Sequence, residues 1–343
     1  MALVAVMFNL KGEPADDAEP PDSLAELDSE STVNAVAEAL RVYGHDACLI
    51  EGNDAAYLKL RQNRPEIVFN MCEGLRGESR ESHIPSILEM MGIPYTGSGV
   101  LTLGITLDKP LTKEMLAYHG VPTPKFKVFE SRDRVDARSL EFPVFAKPAH
   151  EGSSMGVSPS SYCADPRELR AEVKRLHDLY RQPVLVEEYL PGKEFTVGIL
   201  GNKKPVIFPV MEINFDAIPK EHGRIYSRQF KTDWHEDIYY LCPAPVSSEL
   251  EKRLKDTALK AYRVLGCKDL SRVDMRLDKD GVPNVLEVNP LPGMVPGFSD
   301  YPRIAEKGGW SYTELVNGIL ETSLRRQDLR HLSAPAFERQ IAD

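Results

Sequence analysis

The apolar positions near the start of the chain alternate between unbroken runs and helical spacing. Leu3 to Phe8 is a continuous apolar run and reads as a buried strand. An acidic, proline-bearing loop follows from Gly12 to Asp28. Ser31 to Leu40 then spaces its apolar residues as a helix does, with serine available as a cap, and Gly44 ends that helix. Asp46 to Ile50 and Ile67 to Asn70 predict two further strands. This strand–helix–strand rhythm predicts a parallel sheet covered by helices. No Gly-x-Gly-x-x-Gly follows the first strand, so a dinucleotide site finds no support.

The texture changes at Tyr95-Thr96-Gly97-Ser98-Gly99, a glycine-rich turn that marks the approach to a domain boundary. Residues 108–120 suit a helix, and Val121-Pro122-Thr123-Pro124 a rigid extended link. Phe142 to Pro148 is a strand followed by a glycine- and serine-rich loop. Asp165-Pro166 opens an amphipathic helix over 165–180. Val184 to Tyr189 is another strand, and Glu194 to Leu200 can pair with Pro205 to Phe208 across Gly201-Asn202. Residues 247–265 make a long helix ended by Gly266. The charged, aperiodic residues 323–343 read as a loosely held tail.

Length and composition narrow the class. The 343 residues exceed one comfortable core and suit two or three domains. A net charge of −10 argues against non-specific nucleic-acid binding and makes a small substrate the simpler expectation. The apolar stretches are far short of a membrane span. The N-terminal run lacks a basic leader and a following cleavage site, so it reads as a strand and not a signal peptide. Cys48, Cys72, Cys163, Cys242 and Cys267 are scattered, with no metal-ligand or redox spacing; reduced thiols in a cytoplasm are expected, and no zinc site.

The most informative stretch runs from Ser271 to Asn289. Two strand-like runs flank Asp280-Gly281, a favoured dipeptide for a two-residue hairpin turn. With that turn, residue 279 faces 282, Asp274 lies opposite Glu287, and Arg272 lies opposite Asn289. One face then carries Arg272, Asp274, Glu287 and Asn289; Val273, Leu286 and Val288 fall on the other. Hard oxygen donors of this kind can hold Mg²⁺, and the guanidinium can neutralise developing charge. A solvated face with a cross-strand salt bridge is the other reading of the same residue types. The proline-glycine turn after it, Pro290-Leu291-Pro292-Gly293-Met294, could aim backbone N–H groups at a substrate.

The loop from Lys147 to Gly156 also has two readings. Its N–H groups and hydroxyls could close over phosphates with Lys147 as a point charge, or it is a plain surface turn. A rival lies within it: Gly152-Ser153-Ser154-Met155-Gly156 fits the serine-hydrolase elbow Gly-x-Ser-x-Gly. That motif must lead straight into a helix, whereas Pro159 follows almost at once, and a partner histidine would have to come from His177, His222, His235 or His331.

An ordered series of segments resembles the D-alanine–D-alanine ligases, members of the ATP-grasp superfamily. The segments are Ile93 to Gly99, Leu107-Asp108-Lys109, Lys147-Pro148 with Glu151 to Gly156, Glu187 to Leu190, Glu194 to Val197, Cys242-Pro243-Ala244, Gly266-Cys267, Arg272-Val273-Asp274, Leu286 to Asn289, and Pro292-Gly293-Met294. Any one match is weak; the series, running in order from about residue 66 to 320, is specific. The resemblance implies an α/β ATP-grasp fold of three domains. These are a parallel-sheet N-terminal domain over 1–104, a central subdomain over 105–185, and a C-terminal subdomain over 186–322, with the tail after it. It implies ATP-dependent joining of a carboxylate to an amine through an acyl phosphate. Lys109, Lys147 and Lys231 would bind phosphates, and the loop with Glu151, Ser153 and Ser154 would close over the nucleotide. Glu187, Glu188, Tyr189 and Leu190 would line the adenine pocket, and Glu194 would take the ribose hydroxyls. Asp274, Glu287 and Asn289 would hold two Mg²⁺ ions, with Mn²⁺ as a substitute. Arg272 and the Gly293 N–H would stabilise the oxyanion, with Ser153 and Lys231 also counted in the catalytic set. The partners implied are amino-acid or peptide-like small molecules and a second copy of the chain, with no nucleic acid or membrane.

The substrate-facing segments depart from the family. Its glycine-rich first loop and ammonium-reading glutamate give way to Asn9-Leu10-Lys11-Gly12 and an acidic insertion, with Glu26 or Asp28 as stand-ins. Its histidine-glycine step becomes Asn70-Met71-Cys72-Glu73-Gly74, and Pro290-Leu291 replaces Thr-Ser after Asn289. Phe298-Ser299 falls near the family's serine-leucine pair without matching it. ATP machinery kept beside altered amino-acid recognition implies a different carboxylate or a specialised dipeptide. A nucleotide-binding protein without turnover is the alternative, against which the intact set of Arg272, Asp274, Glu287 and Asn289 speaks.

Overall fold

A computed structural model describes residues 1–12, 20–130, 135–218, 225–234, 236–335 and 337. At the N-terminus β1 (Leu3–Phe8) lies between β2 (Asp46–Glu51) and β3 (Ile67–Asn70), all parallel. Period two explains why the first run is apolar throughout: Val4, Val6 and Phe8 pack on α1 (Glu30–Val42), while Ala5 and Met7 pack on α2 (Ala56–Gln62) and α3 (His83–Met91). Ser29 caps α1 by accepting the Thr32 N–H.

After α4 (Val100–Leu107), Asp108 caps α5 (Lys109–Tyr118), accepting the Leu111 N–H at 2.9 Å, and Pro110 sits in the helix's first turn. A four-stranded antiparallel sheet follows, in the order β4 (Phe126–Phe129), β7 (Val184–Glu188), β5 (Val144–Pro148), β6 (Tyr162–Cys163). Its apolar face packs on Leu169, Val173 and Leu176 of α6 (Pro166–Tyr180). A second antiparallel sheet runs β11 (Tyr240–Leu241), β10 (Met211–Ile213), β8 (Glu194–Leu200), β12 (Leu270–Leu277), β13 (Pro283–Asn289), with β9 (Val206–Ile207) also on β8. The expected β8–β9 hairpin is therefore present. The sheet is covered by α8 (Ser248–Val264), and the short α7 (Arg228–Asp233) stands beside it.

Two expectations need correction. The β12–β13 turn is not the two-residue Asp280-Gly281 type. Leu277 pairs with Pro283, the Asp278 carboxylate accepts the N–H groups of Asp280 and Val282, and Gly281 takes φ +73°. That register is one residue off the expected one, and a bulge between Asp274 and Met275 restores it. Asp274 faces Glu287 and Arg272 faces Asn289, as the residue pattern indicated, although the route to them differs. The bulge also turns Leu286 away from its expected face and into a cavity.

The second correction concerns residues 323 onward. α9 (Asp300–Lys307) leads to α10 (Tyr312–Arg326), which packs on α1 with Asn317 donating to the Ala39 carbonyl at 2.8 Å. Ser323 is buried and donates to the Tyr95 carbonyl. Arg326 donates twice to Asp269, at 2.8 and 2.7 Å. Asp269, fully buried, also accepts Asn202 Nδ2 and the Gly97 N–H, each at 2.9 Å. The end of α10 thus clamps the glycine-rich turn to β12; only residue 336 and residues 338–343 of the expected tail fall outside the described residues. Among the described residues, no helix is long and apolar enough to cross a membrane.

Candidate active site

The two antiparallel sheets face each other across a cavity of about 830 Å³. Its lining includes Lys109, Lys147, Glu151, Ser154, Glu187, Glu188, Tyr189, Leu190, Glu194, Lys231, Asp274 and Glu287, twelve residues expected at the site from the sequence. Ser153 is exposed and does not line it. Arg272 and Asn289 adjoin through Asp274, and Gly293 lines a second cavity instead.

On the first sheet, Glu187 of β7 is the anchor. Lys147 of β5 meets it at 2.8 Å and Lys113 of α5 at 2.7 Å. Burial pushes the Glu187 carboxyl up, but the two ammonium groups overcome it and hold the group at about 2. Burial pulls Lys113 down to about 8 against the pull of Glu187. For Lys147 burial is outweighed by Glu187, Glu287 and Glu194, and the net shift is upward, so it stays an ammonium. Lys113 was missed in the sequence; it lies one turn from Lys109 on the same face of α5, which was the available signal. Lys109 itself is buried, its Nζ donating to the Glu151 carbonyl and lying 3.7 Å from Glu287.

On the second sheet, Arg272 holds Asp274 through two donors at 2.7 to 3.2 Å, and the Thr196 hydroxyl donates to Asp274 at 2.6 Å. Asn289 Nδ2 donates to Asp274 at 3.0 Å and approaches Glu287 at 3.5 Å. Burial would raise Glu287, yet Lys109, Lys147, Arg272 and Lys231 hold it at about 2, while burial leaves Asp274 raised despite Arg272. Asp274 is buried and Arg272, Glu287 and Asn289 are half-buried against a cavity dense with charge, so the solvated-hairpin reading fails. Arg276, two residues beyond Asp274 on the same strand face, was also missed though period two points to it. It donates to the Tyr189 hydroxyl at 2.6 Å, meets Glu194 at 3.3 Å, and stacks 4.5 Å from the Tyr189 ring centre. Glu194 is nonetheless pushed up to about 7, chiefly by burial.

The loop between β5 and β6 carries Ser153 and Ser154 at φ +46° and +60°, with the Ser154 hydroxyl donating to the Tyr226 carbonyl at 3.0 Å. Lys231 of α7 lies 4.6 Å over the Tyr226 ring. No helix follows the loop; a short 3₁₀ turn at Pro159–Ser161 leads into β6, so the hydrolase elbow is absent. Of the histidines that reading needed, His222 and His235 lie outside the described residues.

The second cavity, about 420 Å³, is lined by Glu26, Asp28, Asn70, Glu73 and Gly293 among others. Arg80, a further residue unforeseen in the sequence, joins the two cavities. It donates to Glu26 at 2.7 Å, to Glu151 at 3.1 Å and to the His150 carbonyl at 2.9 Å. Glu26 lies so close to Gly152 that a Cβ there would stand 1.8 Å from its Oε1. Among the described residues, no three His, Cys, Asp or Glu side chains cluster as a metal cage.

A family model described as the D-ala D-ala ligase C-terminus matches residues 115–321. The chain is 36% identical over 301 residues to an uncharacterized protein of Sinorhizobium fredii, y4sG, covering 85% of this chain and 87% of that one. It is 35% identical over 315 residues to a D-alanine–D-alanine ligase of Synechococcus sp., covering 90% and 92%. The crystal structure of a D-alanine–D-alanine ligase from Bacillus anthracis complexed with ATP superposes with a TM-score of 0.74 at 26% identity, over 96% of this chain and 99% of that one.

Proposed function

The chain belongs to the D-alanine–D-alanine ligase family, and from that premise we propose which of its residues carry the reaction. It is an ATP-dependent ligase that forms a C–N bond between small amino-acid substrates. The observation behind the assignment is the meeting of Lys109, Lys147 and Lys231 with Asp274 and Glu287 in one cavity between two sheets.

Lys109, Lys147 and Lys231 bind the ATP phosphates, and Ser154 and Glu151 belong to the loop that closes over them. Ser153 is exposed and joins the reaction only if that loop moves. Glu188, Tyr189, Leu190 and Leu286 bound the adenine. Glu187 acts on the nucleotide chiefly by fixing Lys147, and Glu194, braced by Arg276, takes the ribose. Asp274, Glu287 and Asn289 fit Mg²⁺, which favours hard oxygen donors and takes one or two carboxylates beside substrate phosphates. Asn289 now turns its nitrogen to both carboxylates, so ligation by its oxygen requires the amide to rotate. Mg²⁺, when bound, screens the phosphate charge.

A substrate carboxylate oxygen attacks the γ-phosphorus of ATP; the bond to the ADP oxygen breaks and an acyl phosphate forms. The second substrate's amine attacks the acyl carbon. The tetrahedral adduct expels inorganic phosphate and the amine loses a proton, leaving the amide. Arg272 and the Gly293 N–H stabilise the oxyanion. We assign the sequence-based domain boundaries with one change, α10 joining the N-terminal unit whose core it shares. A cytoplasmic homodimer is part of the same proposal. D-alanine is the substrate named for the relatives; the altered segments around Asp28 and Glu73 favour another amino acid. ADP release with Mg-ATP across a panel of D- and L-amino acids, with products identified by mass, tests the reading. ADP with a condensed product supports it, and absence of ATP binding overturns it.

A further inference from the structure

The second cavity carries an imbalance that a neutral amino acid does not answer. Glu26 is paired with Arg80, whereas the carboxylates of Asp28 and Glu73, which line the same cavity, have no hydrogen-bond or ion-pair contact among the described residues; Arg80 acts on Glu73 only from beyond contact distance. Half-buried carboxylates with no cation in contact are costly, and Asp28 is pushed up to about 7 by burial.

An independent group points into the same space. Asn70, 5% exposed, ends β3 and lines the cavity. Its Oδ1 accepts the Cys72 N–H at 3.2 Å, which fixes the amide's orientation, and its Nδ2 has no partner. A buried amide donor left open in a polar cavity is a group awaiting an acceptor. The cavity thus offers one donor, two carboxylates with no cation in contact, and the Gly293 turn.

We infer that this cavity takes a diamino acid: the Asn70 amide donates to its carboxylate, and Asp28 and Glu73 receive its two ammonium groups. This rests on the ligase reading given above and names the substrate class of that site. An α-amino acid with an apolar side chain supplies one ammonium and leaves one of these carboxylates unanswered; a basic side chain of three or four carbons supplies the second. A site built around polar partners discriminates steeply against a ligand that lacks them.

The test uses the full chain with Mg-ATP and, singly and in pairs with D-alanine, the D and L forms of ornithine, lysine and their uncharged isostere norleucine. ADP release is followed and products are weighed. The expected result is kcat/KM for ornithine or lysine at least about 100-fold above norleucine. Asp28→Asn and Glu73→Gln should each reduce that ratio at least about tenfold while leaving the KM for ATP within twofold. Turnover of neutral amino acids equal to or better than the basic ones overturns the inference and leaves the ligase standing. No ADP release with any pair, but a thermal shift with ornithine and none with norleucine beside a non-hydrolysable ATP analogue, overturns the ligase reading for these substrates and supports the cavity's charge preference. No shift with either overturns both.

Discussion

Replacing Glu187 by glutamine removes one charge from the point where two buried lysines converge and changes almost nothing in shape. Lys113, 1% exposed, and Lys147 meet this carboxylate at 2.7 and 2.8 Å. Burial would raise the carboxyl, and the lysines instead hold it at about 2 against an ordinary 4.5. At 1.36 kcal/mol per pH unit the difference is worth ~3 kcal/mol. Removing one partner of a buried pair costs ~3–5 kcal/mol, so Glu187→Gln should lose ~3 kcal/mol at pH 7.

The pH dependence follows from the same groups. A carboxyl with a depressed pKa contributes stability that is complete above about 4.5 and is lost as pH falls toward 2. On the alkaline side Lys113, pulled down to about 8 by burial, sheds its proton in the wild type above that pH. Without Glu187 that proton leaves at lower pH still, so the variant's deficit shrinks between pH 7 and 9.5. Urea unfolding followed in parallel by tryptophan fluorescence and circular dichroism at pH 6, 7, 8 and 9.5 measures the deficit, provided the two probes coincide. A loss below ~1 kcal/mol at pH 7 would place the pair in the range of exposed ion pairs and refute the reasoning. So would a deficit that widens from pH 7 to 9.5.

Gly152→Ala puts a methyl 1.8 Å from Glu26 Oε1 and must push that carboxylate aside, disturbing its ion pair with Arg80. Steady-state kinetics should show activity down at least about tenfold with an unchanged circular dichroism spectrum, as expected when positioning groups shift by an ångström. Asp269→Asn breaks a fully buried carboxylate that Arg326 and the Gly97 N–H share; a scanning calorimeter should record a stability loss of ~3–5 kcal/mol with turnover at low temperature retained. Leu286→Ala removes the side chain that the bulge turns into the larger cavity. Three lost carbons predict an ATP affinity lower by ~1–2 kcal/mol in titration calorimetry, with kcat little changed.

How much of this was readable from the residues depended on whether their partners were local. The N-terminal strands, helix α1 and the capped starts of α5 and α6 follow from period, glycine and aspartate within a few residues of each other. Asp274 and Glu287 were found opposite one another because the hairpin is short, and the bulge happened to cancel the error in the turn. What sequence could not supply was long-range pairing. Arg80 bonds Glu26 and Glu151, 54 and 71 residues away, and Arg326 bonds Asp269 across 57. Nothing near those arginines distinguishes them from solvated ones, which is why residues around 326 read as tail. The position of Ser153 was missed for another reason: both serines of the loop take left-handed backbone angles, which turn adjacent side chains in directions no extended pattern foretells.

The two cavities share their supports, and this bears on how the enzyme orders its substrates. Glu26 lines the smaller cavity and Glu151 the larger, and Arg80 holds both carboxylates. Lys109, which faces the larger cavity, is fixed by the Glu151 carbonyl. Asp22, four residues before Glu26, accepts the Gly156 N–H at 2.9 Å and the Tyr180 hydroxyl at 2.6 Å, so the same acidic segment also fastens the far end of the loop. Under the roles proposed above, a substrate ammonium near Glu26 would compete with Arg80 for it, and phosphates near Lys109 would compete with Glu151. Each ligand would then act on the other's supports, and linkage requires the effect to be equal in both directions: the factor by which an amino acid changes ATP affinity is the factor by which ATP changes amino-acid affinity. Substituting Arg80 with methionine, which keeps the length and removes the charge, should bring that factor to about 1 in paired calorimetric titrations, while an undiminished factor would show that the coupling runs through another part of the molecule.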